Sequence, residues 1–216
     1  MIRAFIFDMD GLMIDSEPLA IESWQTIVRP FGHRIDEILF QQMLGLRGIE
    51  CAAMLRERFH LPMAAEALAR QRNDTLLASL PGRLKAMPGL RELIAELQVR
   101  GLKRAIATSG ERRYVAAVIC GLNLDGAFDT TVVAEDVRRG KPAPDVYLLA
   151  AERLGLPSSQ CLVLEDALNG VRAAKAAGMT CVAVPNQLSR ALDFAAADAV
   201  MPSLLVVRDN LDVLMW

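Results

Sequence analysis

The chain begins with a short apolar segment that runs directly into two acidic residues. Phe5-Ile6-Phe7 is followed by Asp8-Met9-Asp10-Gly11. An uninterrupted apolar run of this length is typical of a strand buried on both faces, as in a parallel α/β sheet. In open α/β sheets, ligands bind beyond the carboxyl ends of the strands. We therefore expect residues 2–7 to form a central parallel strand and the functional site to begin at Asp8.

The composition limits the class of protein. The chain has 216 residues, of which 53% are hydrophobic, so it can bury the core of one domain with a sizeable insertion. A formal net charge of -2 provides no basic surface for nucleic acid or anionic lipid. We expect no nucleic acid or membrane partner, a small-molecule substrate and a monomeric state.

Neither export nor a redox role is indicated by the sequence. No charged leader precedes an apolar block, and no apolar run reaches the roughly 18 residues that cross a bilayer. The four cysteines, Cys51, Cys120, Cys161 and Cys181, show no C-x-x-C spacing. We expect a cytoplasmic protein whose thiols are reduced and structural.

The pattern of apolar residues divides the chain into two regimes. Apolar spacings of three and four predict helices at 18–28, 36–43, 49–59 and 64–80, and turns at Pro81-Gly82 and Pro88-Gly89 end this regime. Strands and helices then alternate: we predict helices at 89–100, 112–120, 144–154 and 170–177, and strands at 103–108, 131–134, 161–164 and 180–184.

Alternating strands and helices predict an α/β fold with a Rossmann-like parallel sheet that also includes the first strand. We expect an α/β core formed by residues 1–15 and 86–216. The helical segment, residues 16–85, is then a cap domain inserted into that core.

Polar clusters follow four of the predicted strands. They are Asp8 and Asp10, then Thr108-Ser109-Gly110, then Lys141, and finally Glu165-Asp166. These clusters should meet on one rim of the sheet, where they would supply a nucleophile, a cation, hydroxyl and amide donors, and oxygen ligands for Mg²⁺. Both histidines, His33 and His60, lie in the helical segment, which makes a Ser-His-Asp triad improbable.

The order of these motifs resembles that of the haloacid dehalogenase superfamily over nearly the whole chain. The position of the helical segment is similar to the subfamily with a helical cap, which contains β-phosphoglucomutases and small sugar-phosphate phosphatases. Residues 7–18 are most similar to the hexose-phosphate phosphatases.

This resemblance implies a role for each motif residue. Asp8 would be the nucleophile that forms an aspartyl-phosphate, and Asp10 the general acid and base. Thr108 would donate to a phosphoryl oxygen, as would the amide of Ser109, and Lys141 would neutralise Asp8. The resemblance further implies a Mg²⁺ site formed by Asp8, the backbone carbonyl of Asp10, Asp166 and Glu165, with Glu165 acting either as a ligand or as an orienting group.

Four residues of the cap segment are candidates for substrate contact. They are Glu17, Arg47, Arg72 and Asn73. The alternative for each is a solvated charge on a helix surface.

The resulting prediction is a Mg²⁺-dependent phosphatase acting on a small phosphorylated metabolite, with a sugar phosphate as the expected substrate. A phosphosugar mutase is the alternative, but this chain has Ala20 where such mutases have a histidine. It also has Gly48 and Gly110-Glu111 at the positions where the mutases bind a second phosphate through cationic and hydroxyl side chains. Arg47, one position from Gly48, could replace the missing positive charge. Haloacid dehalogenases need only the first aspartate, so Asp10 argues against that reaction. A non-catalytic binding role is disfavoured by the complete motif set.

Overall fold

The centre of the molecule is a six-stranded parallel sheet. The structure is a computed structural model that describes residues 1–215. Its strands are β1 (Ala4–Phe7), β2 (Lys103–Ala107), β3 (Thr130–Val132), β4 (Cys161–Glu165), β5 (Thr180–Ala183) and β6 (Ala199–Val200). The order across the sheet is β3-β2-β1-β4-β5-β6, so β1 is central, as predicted. The chain leaves β1 toward β2 on one side and β4 on the other, which opens a crevice at the carboxyl end of β1.

Ten α-helices surround or cap this sheet within residues 1–215. They are α1 (Glu17–Val28), α2 (Glu37–Met43), α3 (Gly48–Phe59), α4 (Ala65–Ser79), α5 (Leu90–Val99), α6 (Arg112–Gly121), α7 (Asp145–Leu154), α8 (Leu168–Ala176), α9 (Leu204–Asp209) and α10 (Leu211–Leu214). Short 3₁₀ helices span Arg29–Phe31, Ala134–Asp136 and Ser158–Gln160. The predicted α/β fold, a Rossmann-like parallel sheet with an inserted helical cap, is confirmed. Strand β6 and helices α9 and α10 were not predicted.

Alternate residues of β1 pack into two different apolar clusters. Phe5 and Phe7 face a cluster that includes α5, α6 and α9, whereas Ala4 and Ile6 face one that includes α7 and α8. Successive side chains of a strand point to opposite faces of the sheet, so a strand covered on both faces must be apolar throughout. This is the physical reason for the apolar run at the start of the chain.

The helical segment has an apolar core of its own, built around Trp24, Phe40, Leu55 and Leu68. Asp36 begins α2 by accepting a hydrogen bond from the amide of Leu39 at 2.8 Å, which satisfies one free donor of the first turn.

Two connectors join this segment to the sheet side by side. The amide of Asp15 donates to the carbonyl of Lys85 at 3.0 Å, and the amide of Met87 donates to that of Met13 at 2.8 Å. The chain therefore enters and leaves the cap through a short antiparallel bridge.

The apolar C-terminal segment docks on the core. Leu211 is buried there, and the carbonyl of Met215 accepts a hydrogen bond from the amide of Ile2 at 3.0 Å. Trp216 lies outside the described residues.

Cys51, Cys161 and Cys181 are buried, as expected of structural thiols, whereas Cys120 is exposed, and all four are unpaired. Within residues 1–215, no helix combines the length and the apolar character needed to span a membrane.

Candidate active site

The strand ends bring the predicted motif residues together at one rim of the sheet. Phe7 pairs with Ile106 of β2 and with Leu164 of β4, so the residues that follow these positions emerge at the same level. Asp8, Thr108, Lys141, Glu165 and Asp166 are all buried there. The four motifs therefore form one cluster, although they are far apart in sequence.

Lys141 joins two carboxylates of the cluster. Its Nζ lies 2.5 Å from Oδ1 of Asp8 and 2.6 Å from Oε1 of Glu165, and its side chain is only 1% exposed. Burial alone would lower the pKa of Lys141, but the charges of Asp8 and Glu165 outweigh it and hold the pKa above its usual value. The ammonium group therefore stays charged and fixes the orientation of Asp8.

Asp8 is held in an environment that resists ionisation. Burial raises the pKa of its carboxyl to about 8, Lys141 opposes that rise, and the nearby charge of Glu165 adds to it. One ammonium group is therefore insufficient for the surrounding acids, and a further cation would favour the ionised form that a nucleophile needs.

Glu165 uses all of its acceptor capacity within the protein. Oε1 accepts from Lys141 Nζ and from the hydroxyl of Tyr147, each at 2.6 Å, and Oε2 accepts from the amides of Asp166 and Ala167 at 3.0 and 3.1 Å. A carboxylate offers about four lone-pair positions, and here four donors occupy them. This geometry suits a role for Glu165 in orienting Lys141.

Asp166 keeps one oxygen free of protein partners. Its Oδ2 accepts from the side-chain amide of Asn186 at 2.8 Å, while its buried Oδ1 has no hydrogen-bond partner among residues 1–215. Burial, Glu165 and Asp8 raise the pKa of Asp166 well above its usual range. An unpartnered buried carboxylate oxygen is costly unless a cation or water contacts it.

These residues fit a small divalent cation. Asp8, Glu165 and Asp166 each offer an oxygen within 4.8 Å of the others, and Lys141 leaves two negative charges of this buried group uncompensated. Mg²⁺ prefers such oxygen ligands and commonly keeps several waters. Since Glu165 is saturated with donors, Asp8 and the free oxygen of Asp166 are better placed as ligands.

Gly11 makes this arrangement possible. Its φ is +78°, and a Cβ atom at this position would lie 2.2 Å from Oδ2 of Asp166 and 2.6 Å from Nδ2 of Asn186. Only glycine combines this backbone conformation with so close an approach.

Asp10 lies beside a tyrosine that sequence reasoning missed. Its Oδ1 accepts a hydrogen bond from the hydroxyl of Tyr114 on α6 at 2.5 Å. Burial raises the pKa of Tyr114 well above its usual value, and the charge of Asp10 adds to the rise, so the phenol stays protonated and acts as a donor.

Thr108 and Ser109 lie in the turn after β2. The hydroxyl of Thr108 is buried and accepts from the amide of Gly110 at 3.0 Å. The hydroxyl of Ser109 donates to the carbonyl of Gly45 at 2.8 Å, which joins the sheet to the cap. Asn169 makes a second such contact, donating to the carbonyl of Leu44 at 3.0 Å. The cap thus rests on the rim that carries the acids.

A cavity of about 100 Å³ lies between the cap and this rim. Asp8, Asp10, Thr108, Ser109 and Asp166 line its floor, and most of its cap wall is apolar, formed by Trp24, Phe40, Met43, Leu44 and Leu46. Three of the four predicted cap residues, Glu17, Arg72 and Asn73, also line it.

Arg72 is held in place from two sides. Its guanidinium lies 5.2 Å from the centre of the Trp24 ring and donates to Ser23 Oγ at 3.2 Å and to Asn73 Oδ1 at 3.1 Å. Glu17 is buried, which raises the pKa of its carboxyl to about 7, and its Oε1 has no partner among the described residues.

Arg47 is absent from the cavity wall. Its guanidinium contacts Glu50 at 2.5 Å and donates to the carbonyl of Arg138 at 3.1 Å. The Arg47 side chain also packs against Gly140. Its side chain thus joins the cap to the loop before Lys141, and this geometry does not favour the predicted substrate contact.

Asn186 and Tyr147 are further site residues that sequence reasoning missed. Asn186 follows β5 at the same rim, so a polar residue after a predicted strand was an available signal. Tyr147 lies within the apolar pattern of α7, and nothing local distinguishes it from a core residue.

Comparisons with known proteins identify the family of the chain. Residues 2–178 match the family model described as haloacid dehalogenase-like hydrolase. The phosphorylated carbohydrates phosphatase of Thermotoga maritima is 33% identical over 177 residues, covering 82% of each chain. The fructose-1-phosphate phosphatase of Escherichia coli K12 is 34% identical over 182 residues, covering 83% of this chain and 94% of the relative.

A solved structure shares the whole architecture. CbbY from Rhodobacter sphaeroides in complex with phosphate superposes with a TM-score of 0.86 at 29% identity, covering 95% of this chain and 96% of that chain. The family match, the curated relatives and the shared fold lead to the same conclusion. The chain belongs to the haloacid dehalogenase-like hydrolases and is a phosphatase of that family.

Proposed function

We propose that this phosphatase hydrolyses sugar phosphates, or closely related small phosphate esters, through a Mg²⁺-dependent mechanism with an aspartyl-phosphate intermediate. The observation that carries the proposal is the position of Asp8. Asp8 directly follows the central strand β1. Its carboxylate contacts Lys141 at 2.5 Å and lines the cavity beside the unpartnered oxygen of Asp166.

In the first step, a carboxylate oxygen of Asp8 attacks the phosphorus atom and the bond from phosphorus to the leaving oxygen breaks. Asp10 transfers a proton to that oxygen, so the alcohol departs neutral. Lys141 holds Asp8 in position, and Thr108 offers its hydroxyl to a phosphoryl oxygen. The positive charge of Lys141 offsets the negative charge of Asp8, which favours the approach of a phosphate dianion.

In the second step, water attacks the phosphorus of the aspartyl-phosphate and gives a proton to Asp10. The bond between phosphorus and Asp8 breaks, which releases phosphate and restores both carboxyl groups to their starting states. Splitting one difficult displacement into two easier ones is the advantage of covalent catalysis.

The proposed Mg²⁺ ligands are Asp8, the free oxygen of Asp166 and the backbone carbonyl of Asp10. Glu165 and Asn186 orient Lys141 and Asp166 respectively. A Mg²⁺ ion held by these residues would supply positive charge that stabilises the transferring phosphoryl group.

The cavity supports a small polar leaving group. Arg72, Asn73 and Glu17 offer donors and acceptors for hydroxyl groups, and Trp24 and the adjacent apolar wall suit the carbon face of a sugar. We also propose that the core comprises residues 1–15 and 86–216 and the cap residues 16–85, since the connectors at Asp15 and Lys85 are paired.

The geometry does not favour the mutase alternative. Ala20, Gly48, Gly110 and Glu111 line the cavity at positions where a second phosphate would need cations or hydroxyl donors. Among residues 1–215, Arg72 is the one basic side chain that lines the cavity, and a bisphosphate would require more positive charge.

The test is phosphate release from a panel of sugar, polyol and nucleoside monophosphates with and without Mg²⁺. The proposal predicts Mg²⁺-dependent release that is greatest for sugar phosphates and is lost in Asp8→Asn. β-Glucose 1-phosphate is followed in parallel, and isomerisation faster than hydrolysis would establish the mutase instead.

A further inference from the structure

The hydroxyl of Tyr114 makes a direct contact with the proposed acid and base. It donates to Oδ1 of Asp10 at 2.5 Å, and this is the one side-chain hydrogen bond of Asp10 among the described residues. Tyr114 is 5% exposed and also lines the cavity. A buried phenol needs a hydrogen-bond partner, and here that partner is a carboxylate of the active site.

The turn after β2 is shaped to admit this ring. A Cβ atom at Gly110 would lie 3.1 Å from Cδ1 of Tyr114 and 3.3 Å from Oγ1 of Thr108. Both distances are tighter than ordinary van der Waals contact. Glycine therefore leaves room for the Tyr114 ring beside Thr108, from where its hydroxyl contacts Asp10.

The contact leaves the two oxygens of Asp10 in different situations. Oδ1 is occupied by the phenol, whereas Oδ2 has no protein donor among residues 1–215. A general acid must present its proton within hydrogen-bond reach of the leaving oxygen, so the orientation of the carboxyl group matters as much as its acidity.

We propose that Tyr114 is a positioning residue that fixes the Asp10 carboxyl group through Oδ1, so that Oδ2 carries the proton exchanged with the leaving oxygen and with water. This inference rests on the proposed function, because it assigns Tyr114 to the proton-transfer step of that mechanism. Tyr114 acts through Asp10 and forms no bond to phosphorus.

The test uses the dependence of the reaction on the leaving group. An alkoxide needs a proton to depart, whereas p-nitrophenolate departs readily without one. We expect Tyr114→Phe to lower kcat/KM for a sugar phosphate by roughly 10- to 100-fold, a part of the total effect of a general acid. For p-nitrophenyl phosphate, kcat/KM should change by less than about threefold, since it reports only the steps through phosphoenzyme formation.

Two further variants separate positioning from a general structural defect. Val118→Ala removes buried atoms from the same helix outside the cavity wall, and it should affect both substrates by the same factor. In an Asp10→Asn background, Tyr114→Phe should cause no additional loss with the sugar phosphate, because its effect passes through Asp10.

Equal losses on both substrates, or none, would overturn the role of Tyr114. A full additional loss in the Asp10→Asn background would do the same. The proposed function fails separately, if the wild-type protein releases no phosphate or if Asp8→Asn remains active. The two failures are therefore distinguishable in one set of measurements.

Discussion

Gly170 offers a direct test of the buried cluster, because a single methyl group there would collide with Glu165. A Cβ atom at Gly170 would lie 1.6 Å from Oε1, 1.9 Å from Cδ and 2.4 Å from Oε2 of Glu165. No rotation of one oxygen relieves all three overlaps. The whole carboxylate of Glu165 must move in Gly170→Ala, and its four hydrogen bonds must break or lengthen.

The expected loss of stability follows from the buried ion pair between Glu165 and Lys141. Glu165 and Lys141 are both buried, and separating a buried ion pair costs about 3–5 kcal/mol. Replacing glycine by alanine in a helix stabilises the folded state by about 1 kcal/mol, because alanine has the higher helix propensity. We expect Gly170→Ala to lower the free energy of unfolding by about 2–4 kcal/mol and the melting temperature by roughly 5–15 °C.

The assay combines urea unfolding with phosphate release. Lys141 should lose its alignment with Asp8, so Gly170→Ala should also lose most of its activity. Gly178→Ala is the matched control. Gly178 has a φ of +71° and nothing within 4 Å of an added Cβ, so it should cost about 1–2 kcal/mol and leave activity intact. Wild-type stability and activity in Gly170→Ala would refute the described position of Glu165.

Three further predictions concern charge in the site. Lys141→Ala leaves Asp8 and Glu165 without their buried cation and should cost about 3–5 kcal/mol in urea unfolding, with no phosphate release. Mg²⁺ at a concentration of 100 times its Kd should increase the free energy of unfolding of the wild-type protein by about 2.7 kcal/mol and so raise its melting temperature. It should have little effect on the melting temperature of Asp166→Asn. Glu17 has a pKa raised by burial from 4.5 to about 7, so its native state binds the extra proton between those values and stability falls as pH rises. The stability of Glu17→Gln relative to wild type should therefore increase across this range, by at most about 3.4 kcal/mol in metal-free urea titrations. A difference that stays constant with pH would contradict the assignment.

The sequence predicted that the motif residues meet at one rim of the sheet, because local patterns determine where buried parallel strands end. The apolar run of β1 requires cover on both faces, and the polar residues after such strands must meet at one edge. Asp8, Thr108 and Glu165 could therefore be placed together without a structure. The order of these motifs along the chain made the family recognisable.

The orienting residues could not be predicted in the same way. Tyr114 and Asp10 are 104 positions apart, and Tyr147 reaches Glu165 from within an apolar helix pattern. A buried tyrosine in such a pattern is indistinguishable from a core residue until its hydroxyl partner is known. Strand β6 has only two residues, too few to show a period.

Arg47 is a predicted contact residue that the geometry does not favour. A basic residue near a predicted pocket is a reasonable candidate for phosphate contact. In the folded chain it is three positions from Glu50 at the start of α3, and that carboxylate holds its guanidinium. Local ion pairing thus competes for the charge that the site would otherwise use.

The covalent intermediate is the central claim of the proposed mechanism. The most direct measurement mixes the Mg²⁺-loaded protein with a sugar phosphate, quenches the reaction in acid within the first turnover and determines the intact-protein mass and the modified peptide. The mechanism predicts a mass increase of one phosphoryl group, located on Asp8 and absent from Asp8→Asn. Turnover without a covalent adduct, or a phosphoryl group located on any other residue, would contradict it.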